Sequence, residues 1–144
     1  MPNTATTTPY AALLLRLSLG VLLLAHGAWL KLGVFGLAGT MGFFGSIGYP
    51  PLLGAAVAFG ETLAGLALIA GVGVRVASLA MVPVMAGATL VHAGNGWLFS
   101  AAGGGWEFPA LLVVLFLVQA GLGAGAHALR PAPHAAGTRA RQPA

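Results

Sequence analysis

The chain has 144 residues, 58% of them hydrophobic and 6% charged, with a mean hydropathy of +0.94. That balance excludes an ordinary soluble domain and points to a bilayer. The net charge of +4 comes from six scattered basic residues against two acidic ones, which gives no nucleic-acid-binding patch, and the lack of cysteine excludes disulfides, thiolate metal ligands and thiol exchange.

Four apolar blocks, 11–31, 52–72, 74–94 and 108–129, each match the about 20 residues that cross a hydrocarbon core as helix. The expected fold is all-α, an integral membrane four-helix bundle occupying 11–129. The leader MPNTATTTPY (1–10), expected to be frayed and cytoplasmic, has no basic n-region, and Arg16 lies inside the first apolar run. The first block is therefore expected to be retained as a span and not removed as a signal peptide. With the N-terminus inside, Arg16, Arg75, Arg130, Arg139 and Arg141 fall on or near the cytoplasmic side and only Lys31 falls outside, so the topology is N-in, C-in. Residues 130–144 read as a disordered cytoplasmic tail.

Between the first two blocks, FGLAGTMGFFGSIGYPP mixes glycine with aromatics, which suits an interfacial or re-entrant segment, and Pro50 and Pro51 favour an extended entry followed by a helix start. Gly71, Gly73 and Arg75 join the second and third blocks almost without a loop, as in a tight antiparallel hairpin. Pro83 should kink the third span. The outer loop GNGWLFSAAGGGWEF again combines glycine and aromatics, and a faint repeat, LLAHGAW and LVHAGNGW, puts His26 and His92 near one depth.

Glycine supplies 23 of the 144 residues, and much of it is spaced for close helix contact. Gly54, Ala58, Glu61 and Gly65 follow one helix face, so Glu61 should point into the bundle. On the fourth span, Gly121 and Gly125 form a small-xxx-small pair, and Gln119 offers an interhelical hydrogen bond. At 1.5 Å per residue, Arg16 lies roughly a quarter of the way up from the cytoplasmic face, Glu61 about halfway and the two histidines in the outer third. A buried Arg16–Glu61 pair with His26 beside it is the expected arrangement. It either fixes helix register or, with His26, relays a proton to a redox-active headgroup. His26, Trp29 and Lys31, with His92, Asn95, Trp97, Trp106 and Glu107, form the densest polar-aromatic cluster; the tryptophans also suit interface anchors, and a Lys31–Glu107 salt bridge would close the bundle. Paired histidines at matched depth also occur in haem proteins, but haem is not expected here, and no metal-site motif is present.

The runs RLSLGVLLLAHGAWLKLGVFGLAGTMGFFGSIGYPP, GETLAGLALIAGVGVRVASLAMVPVMAGATLVHAGNGW and GGGWEFPALLVV resemble the DoxX family of small bacterial membrane proteins, over roughly residues 11–125. The resemblance implies four transmembrane helices in the bacterial cytoplasmic (inner) membrane. It also implies an association with quinone-linked oxidoreduction or with thiol, oxidative or quinone stress; relatives include a subunit of thiosulfate:quinone oxidoreductase. The positions matched are Arg16, His26, Lys31, Glu61, Arg75, His92, Asn95 and Glu107, whereas GAGAHALRPAPH departs from the family's usual ending.

The expected function is that of a subunit or partner in quinone-linked oxidoreduction, with quinone as substrate or ligand. Its headgroup site is expected in the outer half of the bundle. Glu61, His26 and Arg16 would handle the proton. His26, His92, Asn95, Lys31 and Glu107 would bind the ligand, with Trp29, Trp97 and Trp106 at the mouth. Arg75, Gly65, Gly121, Gly125 and Pro83 would be structural. The alternative is a non-catalytic scaffold that docks soluble redox enzymes at the membrane; a homo-oligomer is compatible with either, and a small transporter is a third reading.

Overall fold

The computed structural model describes residues 4–130, with side chains described from residue 7; of the tail expected at 130–144, all but Arg130 lies outside the described residues, Arg139 and Arg141 included. Helix α1 (Thr4–Leu24) runs directly into a π-helical segment (Ala25–Val34), followed by α2 (Gly36–Ser46), α3 (Pro51–Ala70), α4 (Val74–His92), a 3-10 turn (Ala93–Asn95) and α5 (Glu107–Leu122). No strand occurs among the described residues. Thr7–Val34, Pro51–Ala70 and Val74–Asn95 are long and apolar enough to cross a membrane. Helix α5 is apolar but has only 16 residues, about 24 Å of helix.

The inward face of α3 forms as its spacing predicts: Gly54, Ala58, Glu61 and Gly65 are all buried. Small residues there let α1 and its π extension approach the α3 backbone. A Cβ on Gly27 would stand 2.8 Å from Thr62 N and 2.9 Å from Ala58 O, and one on Gly65 would stand 3.0 Å from Gly20 O. Leu19 and Leu23 of α1, Leu68 of α3, Met81 and Met85 of α4, and Leu112 and Phe116 of α5 close the apolar core. The α3–α4 hairpin is as tight as expected, because Gly71 takes the left-handed conformation (φ 71°) that ends α3 in place of a longer loop.

Four expectations need correction. The leader is helical from Thr4, with Pro9 inside the helix. The segment between the first two blocks, by contrast, forms the helix α2, a form open to an interfacial segment, held by a Thr40 Oγ1 hydrogen bond to Lys31 O (2.7 Å) and by Phe44 against Gly54. The fourth apolar helix stops at Leu122 instead of continuing to 129, because Gly123 turns left-handed (φ 76°) and breaks the ladder. Gly121 and Gly125 therefore do not share a helix face: Gly121 is exposed with open space around it, while Gly125 lies past the helix against Pro9 O and Ala12. Nor does Gln119 bridge helices; its Nε2 donates to Gly123 O (2.7 Å) and caps the end of its own helix.

Residues 123–130 form a strap across the end of the bundle. Ala126 N donates to Pro9 O (2.9 Å), Leu129 N to Ala70 O (3.1 Å) and Arg130 N to Gly71 O (3.3 Å). Arg16, only 1% exposed, fastens this strap by donating from Nη2 to Ala126 O (3.3 Å) and His127 O (3.5 Å), with Nη1 against Gly71. The guanidinium thus lies beside the C-terminus of α3, the negative end of that helix's dipole, with no hydrogen bond from its Nε or Nη1 among the described residues. Arg75, at the start of α4, is exposed beside Gly123.

Candidate functional site

The partner of Glu61 is Lys31. Their side chains form a 2.7 Å salt bridge in which Glu61 is 4% and Lys31 22% exposed. This corrects the expected Arg16–Glu61 pair, since Arg16 is committed to the strap at the other end of α1. It also corrects the expected Lys31–Glu107 bridge: Glu107 Oε1 accepts instead from Phe99 N (2.9 Å) and holds the outer loop.

The π-helical winding explains how Lys31 joins His26 at the site. In an α-helix, residues five apart point about 140° away from each other. A π-helix bonds residue i to i+5, which sets such residues one above the other. The last such turn closes with Phe35 N to Leu30 O (2.9 Å), and His26 and Lys31 both face the interior cavity described below. Gly27, between them in sequence, lets the segment lie against Ala58 and Thr62, one residue beyond Glu61.

Both imidazoles are oriented by carbonyls. His26 Nδ1 lies 2.9 Å from Leu22 O, and His92 Nδ1 lies 3.0 Å from Gly103 O and 3.1 Å from Gly104 O. A carbonyl only accepts, so Nδ1 carries the proton in each ring and Nε2 is left to accept from a ligand or take up its proton. Asn95 supports the arrangement by donating from Nδ2 to Gly103 O (3.0 Å) and Gly104 O (2.9 Å). The loop these residues pin is closed at its base by Trp106 N to Gly96 O and Glu107 N to Trp97 O, both 3.1 Å, and by edge-to-face packing of Trp97 on Trp106 at 4.5 Å.

A cavity of about 310 Å³ brings His26, Lys31, Glu61 and His92 together. Its remaining walls are mostly apolar, from Leu22, Met85, Phe99 and Leu112 among others, with Gly104 and Gly105 supplying backbone from the loop. Of the residues assigned to ligand binding from sequence, Asn95, Trp97, Trp106 and Glu107 shape the loop and do not line this cavity, and Trp29 is 65% exposed. Sequence spacing missed the Leu22 carbonyl that sets the His26 tautomer; its signal was the i−4 position relative to the histidine.

Mostly apolar walls around a buried ion pair and two oriented imidazoles define a helical membrane protein with an internal polar site. The DoxX family model matches residues 11–94, more than half of the chain, and the protein belongs to the DoxX family. Neither a curated protein nor a solved structure matches it.

Proposed function

We propose that this DoxX protein binds the headgroup of a quinone or quinol and serves as a subunit or partner in quinone-linked oxidoreduction. The observation that carries this reading is the cavity in which two imidazoles, an ammonium and a carboxylate meet among apolar walls. Its volume lies at the lower end of the about 300–1,000 Å³ usual for small-molecule sites, which suits a single ring. A quinol donates two hydroxyl protons, and Nε2 of His26 and His92 are the available acceptors; the Lys31 ammonium suits the carbonyl or phenolate oxygen of the oxidised or deprotonated ring. Glu61 holds Lys31 and lines the same cavity as His26, so both would face a bound headgroup.

In this reading the protein sits in the bacterial inner membrane with N-terminus and C-terminus inside. Arg16, Arg75 and Arg130 gather at one end of the bundle, as the positive-inside tendency asks, and α5 supplies the fourth span. A soluble redox enzyme or another oxidoreductase subunit would exchange the electrons.

The test is binding by the purified full chain. Tail-less benzoquinone is expected to quench tryptophan fluorescence, since Trp97 and Trp106 pack on the loop that walls the cavity, and His26→Leu and His92→Leu should each weaken quinol binding at least tenfold. No bound quinone on extraction, together with no quenching, would end the proposal and favour the scaffold reading.

A further inference from the structure

A second cavity, of about 440 Å³, meets the first at Lys31, Glu61, Ala88 and His92, so the ion pair stands between the two spaces. The second space runs outward between α3 and α4 and under α2. Leu53 and Val57 form one wall, Pro83, Val84 and Gly87 the other, and Phe43 and Phe44 cover it. Leu53 and Pro83, on its opposite walls, are exposed on the outer faces of two helices long and apolar enough to cross a membrane, so it opens toward lipid, whereas the first cavity lies under the outer loop.

Two features fix what the groove takes. Gly87 presents no side chain, and a Cβ there would meet nothing within 4 Å, so the slot is open at mid-helix where a larger residue would fill it without displacing its neighbours. The inner end of the slot is the ion pair, with Glu61 only 4% exposed. A plain acyl chain pushed to that end would set hydrocarbon against charge and gain no hydrogen bond there. A ligand with a polar head on an apolar chain matches both ends at once.

We propose that the groove between α3 and α4 is a lateral entrance from the bilayer that holds the apolar tail of a lipid-soluble ligand whose polar head rests at the Lys31–Glu61 pair. The inference rests on the quinone reading above and deepens it: the ligand is a tailed quinone drawn from the membrane, not a soluble one entering from the outer face. Phe43, 54% exposed, and the half-buried Phe44 flank the tail at the mouth, and the π-helical Lys31 contributes to both cavities.

The experiment compares a tail-less 1,4-benzoquinone with its decyl derivative on the full chain in nanodiscs, in wild type, Gly87→Phe and Val57→Phe. Wild type should bind the decyl compound at least tenfold more tightly, measured against free ligand in the membrane, and both variants should bring that ratio down to within about twofold of one. The two substitutions fill the groove from opposite walls, so a folding defect in one leaves the other to decide. An undiminished preference in the folded variants, as expected if only lipid acyl chains occupy the groove, would overturn the lateral entrance. Failure of wild type to bind either compound would overturn the quinone reading itself, a result that a blocked groove cannot mimic.

Discussion

Breaking the Lys31–Glu61 pair from either side should have unequal costs. Glu61 is 4% exposed and Lys31 is 22% exposed. Lys31→Met strands a carboxylate that is nearly fully buried on a short stem, which for a buried pair costs about 3–5 kcal/mol. Glu61→Gln leaves an ammonium on a flexible stem that can turn into the cavity and hydrate, so the cost falls to about 1–3 kcal/mol. The double variant strands no charge, and the two losses should fall short of adding by about 2–3 kcal/mol. Reversible unfolding of the full chain in mixed micelles, followed by circular dichroism for the four members of the cycle, measures all three quantities. A coupling below about 0.5 kcal/mol, or Glu61→Gln costing more than Lys31→Met, would refute the reasoning.

Gly27→Ala should destabilise by about 1–3 kcal/mol, since its Cβ would meet the backbone of Ala58 and Thr62 at under 3 Å, whereas Gly121→Ala, with open space around it, should stabilise by about 0.5–1 kcal/mol; thermal unfolding of the two variants checks the contrast. Arg16→Met should free the strap and speed amide exchange at Ala126, Leu129 and Arg130, leaving exchange in the middle of α4 unchanged; uniform acceleration would mean that Arg16 supports the whole bundle instead. Asn95→Ala should weaken ligand binding less than His92→Leu does, because Asn95 acts through the Gly103 and Gly104 carbonyls; calorimetric titration ranks them.

Glu61 was legible from its neighbours: three small residues at helical spacing mark a buried face, and one carboxylate on it must meet a cation. Which cation was not legible, because depth counted at 1.5 Å per residue assumes an α-helix throughout, and the chain turns π-helical after Leu24. No propensity marks that change in AHGAWLKLGV; it accompanies the contact of Gly27 with α3, a tertiary cause. The early end of α5 was legible in the alternating glycines of GLGAG, which give the helix a stop signal that its apolar composition hides. His26 and His92 were placed at one depth by the repeat, and both do line one cavity; their tautomers depend on Leu22, Gly103 and Gly104 carbonyls that only the fold brings into range.

The division of charges has a functional consequence. The chain has two acidic residues, and Glu107 is held by the Phe99 amide in the outer loop, so Glu61 is the one carboxylate within the described helices' core. Two cations of α1 and its extension could compete for it. Arg16 instead donates from Nη2 to two carbonyls of the strap and lies beside the C-terminal end of α3, where the helix dipole favours a cation. Lys31, a compact point charge on a long stem, is the cation that pairs with Glu61 and reaches the cavity. A proton path that needed Arg16 would have to cross the apolar layer of Leu19, Leu23 and Leu68 to reach Glu61. On the quinone reading proposed above, the chemistry belongs to Lys31, Glu61 and the two histidines in one half of the bundle, while Arg16 fastens the strap at the other end.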